Sequence, residues 1–152
     1  METTILTQLL CPFGKFNHWK GMQIVDISAG LYLHKALFTK IFHKLKEIPI
    51  YGNGHADDIS KDKQWLKQST VGYVVDIFNS NQGILVKCEY HNITGLELIR
   101  RWKYSMSPVW KMQIVKDEEE PCGIAYRPIE LLSIGLTQSP NIAESGRIIN
   151  DE

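Results

Sequence analysis

Val71-Gly-Tyr-Val-Val-Asp-Ile-Phe78 and Gly83-Ile-Leu-Val-Lys-Cys-Glu-Tyr90 stand on either side of Asn79-Ser-Asn-Gln82. Both arms are rich in β-branched and aromatic residues, which fit a pleated, half-buried surface, and the residues between them are of turn-forming type. The pair reads as a β-hairpin and sets the class of the chain as mainly β. Toward the C-terminus, Thr94 reads as the cap of a helix from Gly95 to Trp102. Leu96, Ile99 and Trp102 fall on one of its faces, with Glu97, Arg100 and Arg101 elsewhere. Ser105 to Val115 reads as a strand, Lys116-Asp-Glu-Glu-Glu-Pro121 as a solvated turn, and Ile129 to Leu136 as a final strand. Toward the N-terminus, Ile48-Pro-Ile-Tyr51 is a short strand running into Gly52-Asn-Gly-His-Ala-Asp-Asp58, whose glycines permit a tight backbone and leave His55 on a loop. Lys61 to Ser69 reads as a polar connection. From Gly30, Leu31, Leu33, Ala36, Leu37, Ile41, Phe42 and Leu45 recur at helical spacing and stop before Pro49. This should be the longest helix, capped by Ser28. Thr4 to Leu10 is a first strand, closed by Cys11-Pro-Phe-Gly14, and Met22 to Asp26 is a second. The order is mostly β with two inserted helices.

The chain has 152 residues, within the range of a single domain that buries its own core, so residues 1–152 are expected to form one domain. Seventeen basic residues balance seventeen acidic ones, which leaves no electrostatic footprint for nucleic acid or an anionic membrane. Neither is expected as a partner. Cys11, Cys88 and Cys122 are odd in number and widely spaced, so free thiols in a reducing, cytosolic compartment are expected rather than disulfides or a zinc site. The opening residues carry an acid where a signal peptide carries basic charge, and no apolar run approaches the roughly 18 residues of a membrane span. No metal-ligand spacing and no Gly-rich phosphate loop is present in the sequence, and no cofactor is expected.

Lys103-Tyr-Ser-Met-Ser-Pro-Val-Trp110 places a serine before a proline at one end of a strand, 52 positions after His55. A serine hydroxyl is a poor nucleophile at neutral pH and needs a histidine within hydrogen-bond reach to take its proton, whatever their separation in sequence. Ser107 and His55 are the candidates for that pair. On residue type alone both have plainer readings: Ser107 as a strand terminator, His55 as an exposed turn residue, and Asp57 and Asp58 as turn acids bonding their own backbone. His34 and His43 read as partly exposed helix positions, since neither has a ligand partner four residues on. Glu118 to Glu120 reads as a solvated face. His91, between a strand and a helix cap, is a candidate third member of a triad, with local capping as its plainer role.

Five segments in order resemble a known family. Leu6-Thr-Gln-Leu-Leu-Cys-Pro-Phe-Gly-Lys-Phe16 is followed by Ile50-Tyr-Gly-Asn-Gly-His55, by the hairpin and the helix beginning Gly95-Leu-Glu-Leu-Ile-Arg100, by Tyr104-Ser-Met-Ser-Pro-Val-Trp110, and by Ile134-Gly-Leu-Thr-Gln-Ser-Pro-Asn141. Together they resemble the protease domain of the bacteriophage Mu-like I protein family, head-maturation proteases also related to scaffold production. Gly and Asn replace the acidic residues that usually precede the family's histidine. The family in turn is similar to other tailed-phage prohead proteases and, distantly, to herpesvirus assemblins, serine endopeptidases built on a β-barrel surrounded by helices.

The resemblance implies a mainly β, barrel-like α/β fold with mostly antiparallel strands. It implies Ser107 as nucleophile and His55 as general base. Many prohead proteases carry a glutamate where Ser133 falls. A serine there can accept the imidazole N–H and fix the tautomer, but it cannot stabilise the imidazolium as a carboxylate would. Glu130, Asp58 and His91 stand as substitutes for the third role. The implied activity is cleavage of phage scaffold and capsid-assembly proteins, and of the chain's own precursor, inside an assembling prohead in the host bacterial cytoplasm. Self-association into a homo-oligomer is left open. The chain ends at Asn150-Asp-Glu152 without the scaffold region common in family precursors, which suggests a protease-only version, a processed form or a truncated one. The rival expectation is a protease fold without its triad, acting as an assembly module, and Ser133 in place of a carboxylate favours it. A weaker rival is a bacterial protein unrelated to phage that merely shares a barrel.

Overall fold

The computed structural model describes residues 3–43, 47–52 and 69–151, with backbone alone at residues 40–43, 150 and 151. Strands make up 56% of the structure, so the class is mainly β. In chain order the elements are β1 (Thr4–Pro12), β2 (Gly14–His18), β3 (Gly21–Val25), α1 (Ile27–His43), β4 (Ile48–Tyr51), β5 (Thr70–Asn79), β6 (Gly83–Tyr90), α2 (Ile93–Arg100), β7 (Ser105–Lys116), β8 (Ile124–Thr137) and β9 (Ile148–Asp151). The hairpin expected from its β-branched arms is β5–β6, paired from Gly72↔Tyr90 to Asn79↔Ile84.

The nine strands form one sheet in the order β2-β3-β8-β4-β5-β6-β1-β9, with β7 on β8. Most pairs are antiparallel; β8 runs parallel to both β3 and β4. This is an open mixed sheet and not the barrel expected from the sequence. The reason lies in β8. Along one edge it takes β7 from Lys116↔Ile124 to Ser105↔Thr137, and along the other it takes β3 at Tyr126 and β4 at Ile134 and Gly135. The sheet therefore branches at β8 instead of returning on itself. Among the described residues, β7, β2 and β9 each keep an edge with no strand against it. The strand expected from Ile129 to Leu136 is longer than its apolar run and is not the last, since β9 follows and pairs with β1.

Both helix caps differ from expectation. Asp26, not Ser28, starts α1: its Oδ1 accepts the Ala29 N–H at 2.8 Å, while the Arg127 guanidinium of β8 binds the same carboxylate at 2.9–3.2 Å. An ionised Asp can serve both donors and so ties the helix start to the sheet. Asn92, not Thr94, caps α2, its Oδ1 accepting the Thr94 N–H at 2.7 Å. Leu96 and Ile99 are buried as expected, whereas Trp102 lies beyond the helix and is 58% exposed. The chain then reverses at Lys103, in the left-handed region with φ of 56°, and enters β7. On α1 the buried apolar side chains are Ala29, Leu33 and Leu37, spaced by four, whereas Leu31 is 62% exposed. The side chains of Ile41, Phe42 and His43 and all of Leu45 lie outside the described residues.

One continuous core runs through the sheet and both helices, with Leu6, Leu10, Leu33, Ile50, Val86 and Ile134 fully buried. Within it, Tyr90 Oη donates to Gln8 Oε1 at 2.6 Å, and Gln8 Nε2 donates to the Gly146 carbonyl at 2.9 Å. The chain of bonds fixes the turn before β9. Tyr90→Phe is expected to cost about 1–3 kcal/mol in denaturant unfolding, because it leaves the buried Gln8 oxygen without a donor. A loss no larger than that of an exposed surface substitution would show that water reaches Gln8.

Candidate active site

Ser107 is the third residue of β7 and lies directly opposite Gly135 of β8. Gly135 in turn pairs with Tyr51, the last residue of β4, so Ser107, Gly135 and Tyr51 form one row across three strands. Paired residues share a face, and the middle member has no side chain. At ordinary strand spacing Tyr51 and Ser107 are about 10 Å apart between Cα atoms. Met106, on the opposite face, is 1% exposed and anchors this end of β7 in the core. Its N–H donates to the Ser145 carbonyl at 3.0 Å. That contact depends on Gly146, which has φ of +100° and where a Cβ would come within 2.8 Å of the Met106 nitrogen.

His55 and Asp58 lie outside the described residues. Ser133 is 4% exposed, opposite Val109 and diagonal to Ser107 on the same face. Glu130 pairs with Lys111, its Oε1 4.0 Å from the ammonium. Four residues of strand separate Lys111 from Ser107, about 13 Å. His91 follows β6 at the same end of the sheet as Tyr51 and Ser107: its N–H donates to the Val71 carbonyl at 3.1 Å, and its exposed ring meets Tyr73 edge-on with centroids 5.3 Å apart. The end of β4 at Tyr51 thus lies between Ser107 on one side and His91 on the other. Burial raises the pKa of the Tyr51 hydroxyl within this row, and Tyr73 adds to the effect. Of the other histidines discussed from sequence, His34 donates from Nδ1 to the Ile77 carbonyl at 2.7 Å, at the far end of the sheet.

Ser107 lines a groove of about 510 Å³ bounded by β7, the tip of the β2–β3 hairpin and the turn at residues 141–145. His18 lines the same groove, and sequence reasoning missed it. Its pKa is lowered, first by burial and then by the Lys20 charge, and its Nδ1 accepts the Lys20 backbone N–H at 3.2 Å. The only local sign was a short polar stretch between Gly14 and Gly21. The buried thiols of Cys11 and Cys88 are pushed up to about 12 by desolvation, which removes both as nucleophiles at neutral pH. Among the described residues, no group of three or more His, Cys, Asp or Glu side chains is arranged to hold a metal ion.

No family model matches the chain, and no curated protein matches it significantly.

Proposed function

We propose that the chain is a serine endopeptidase acting on head-assembly polypeptides of a tailed phage or prophage, with Ser107 as nucleophile and His55 as general base. The observation that carries this reading is the row Ser107–Gly135–Tyr51. His55 follows Tyr51 by four residues, a tether that reaches at most about 14 Å, so its ring can come over Gly135 to the Ser107 hydroxyl. His55 takes the Ser107 proton as Oγ attacks a peptide carbonyl, then returns it to the leaving amine. Water repeats the sequence on the acyl-enzyme to release the second product. Backbone N–H groups hold the oxyanion. Ser133, buried beside the row, is assigned to orient the imidazole, with His91 as its competitor from the opposite side. The substrate class, the phage setting and the bacterial cytoplasm come from the family resemblance alone.

A fluorophosphonate probe tests the nucleophile directly, because an activated serine displaces fluoride to form a stable adduct. Wild-type protein is expected to gain one adduct on the peptide containing Ser107, and Ser107→Ala to gain none. An unlabelled wild type supports the rival reading, an inactive protease-like assembly module, which the absence of a carboxylate at Ser133 favours.

A further inference from the structure

Among the described residues, no second strand pairs with the edge of β7 along which the groove beside Ser107 runs. β7 bonds to β8 on one side; on the other, the Met106 N–H is taken by Ser145. Strand alternation turns the backbone groups of Pro108, Trp110 and Met112 the same way, and among the described residues they have no backbone partner on that side. Pro108 has no N–H to offer, which suits an edge position and leaves its carbonyl as the first free acceptor after Ser107. The walls are mixed: an apolar patch of Trp110 and Met112 from β7, Ile142 from the turn, and Trp19 from the hairpin tip, where it is 84% exposed, is set among the polar His18, Lys20, Gln23 and Asn141.

A second observation is independent of the edge. Ser145 lines the groove and is 2% exposed, yet its Oγ has no hydrogen-bond partner among the described residues. A buried hydroxyl without a partner costs stability, and a ligand that supplies the partner recovers that cost.

We infer that the groove binds an extended polypeptide segment as an added strand on the outer edge of β7, with a bulky apolar side chain against Trp19, Trp110 and Met112 and a backbone group bonded to the Ser145 hydroxyl. The identity of that segment as substrate rests on the peptidase reading; the binding does not. Backbone bonds supply affinity along such an edge, and the pocket for one side chain supplies selectivity.

The test uses Ser107→Ala protein, so that cleavage cannot interfere, and follows binding by tryptophan fluorescence. The probes are a blocked hexapeptide of alternating alanine and serine with phenylalanine at its third position, its counterpart with aspartate there, and two forms of the phenylalanine peptide N-methylated on alternate amides. The phenylalanine peptide is expected to bind at least about ten-fold tighter than the aspartate peptide. One N-methylated form should bind as before and the other at least about ten-fold more weakly, since only one set of amides faces β7. Adding Ser145→Ala should weaken binding about three- to ten-fold while the melting temperature stays or rises, because the hydroxyl has no partner to lose in the free protein. Equal binding of the two side-chain variants, no binding of either at millimolar concentration, equal effects of the two N-methylated forms, or a Ser145→Ala protein that melts lower with binding intact would each overturn the inference. Binding that persists while the wild type cleaves nothing overturns the peptidase reading and leaves the groove assignment standing.

Discussion

Ser107→Ala is expected to lower cleavage of a co-expressed phage scaffold by about 10⁴-fold or more, with His55→Ala lowering it to a similar level and the double substitution adding almost nothing. The non-additivity is the informative part. A nucleophile and its base contribute to one transition state, so either loss removes the same stabilised species, whereas independent effects would multiply. Neither change should lower the melting temperature appreciably, since Ser107 is only partly buried and pairs through its backbone. Ser133→Ala and His91→Ala separate the two claims on the third role: the residue that orients His55 should cost more, because it fixes the tautomer without supplying the proton acceptor. His18→Ala is the control within the groove. Loss of cleavage there together with full activity in His55→Ala would move the base from His55 to His18 at the hairpin tip. Cleavage that survives Ser107→Ala would remove Ser107 from the mechanism.

What could be read from the sequence followed the reach of the interactions involved. The β5–β6 hairpin was plain because its two arms are adjacent and each carries its own β-branched and aromatic residues. β2 was missed because Gly14–His18 is largely exposed and polar; it is a strand by virtue of its partner β3. β9 was missed for a different reason, since Ile148 pairs with Gln8 at the other end of the chain and no local pattern announces that pairing. Closure was misjudged likewise: the apolar run Ile129 to Leu136 marks a strand but does not say that its second edge is divided between β3 and β4. The caps turned on tertiary context as well, Asp26 being held in place by Arg127, 101 positions away. In the candidate site, the Ser-Pro pair was visible as a motif, whereas His18 and Ser145 join its groove through contacts between the β2–β3 hairpin, β7 and the turn at residues 141–145.

Leu33→Ala and Leu37→Ala are each expected to cost on the order of 2–5 kcal/mol, against a few tenths for Leu31→Ala, although all three lie in one apolar run of α1. The helix is apolar on more than one side, with Ile27, Leu31 and Phe38 each more than 60% exposed, so its composition does not tell which face is buried. The sheet makes that choice. α1 is tied at its start to β8 through Asp26 and Arg127 and along its length to β5 through the His34 bond to Ile77, an orientation in which Ala29, Leu33 and Leu37 face the core. Truncating either leucine removes a buried side chain and leaves a cavity whose walls belong to the sheet and relax only in part. In urea the midpoint should fall by about 1–3 M for either buried leucine and hardly move for Leu31. With total stability for a domain of this size of about 5–15 kcal/mol, the Leu33→Ala, Leu37→Ala double variant should be close to unfolding at 25 °C. Equal midpoint shifts at Leu31 and Leu37 would mean that α1 is rotated about its axis from the packing described above, and that β8, which presents Gly135 and Ser133 to Ser107, is supported by other residues.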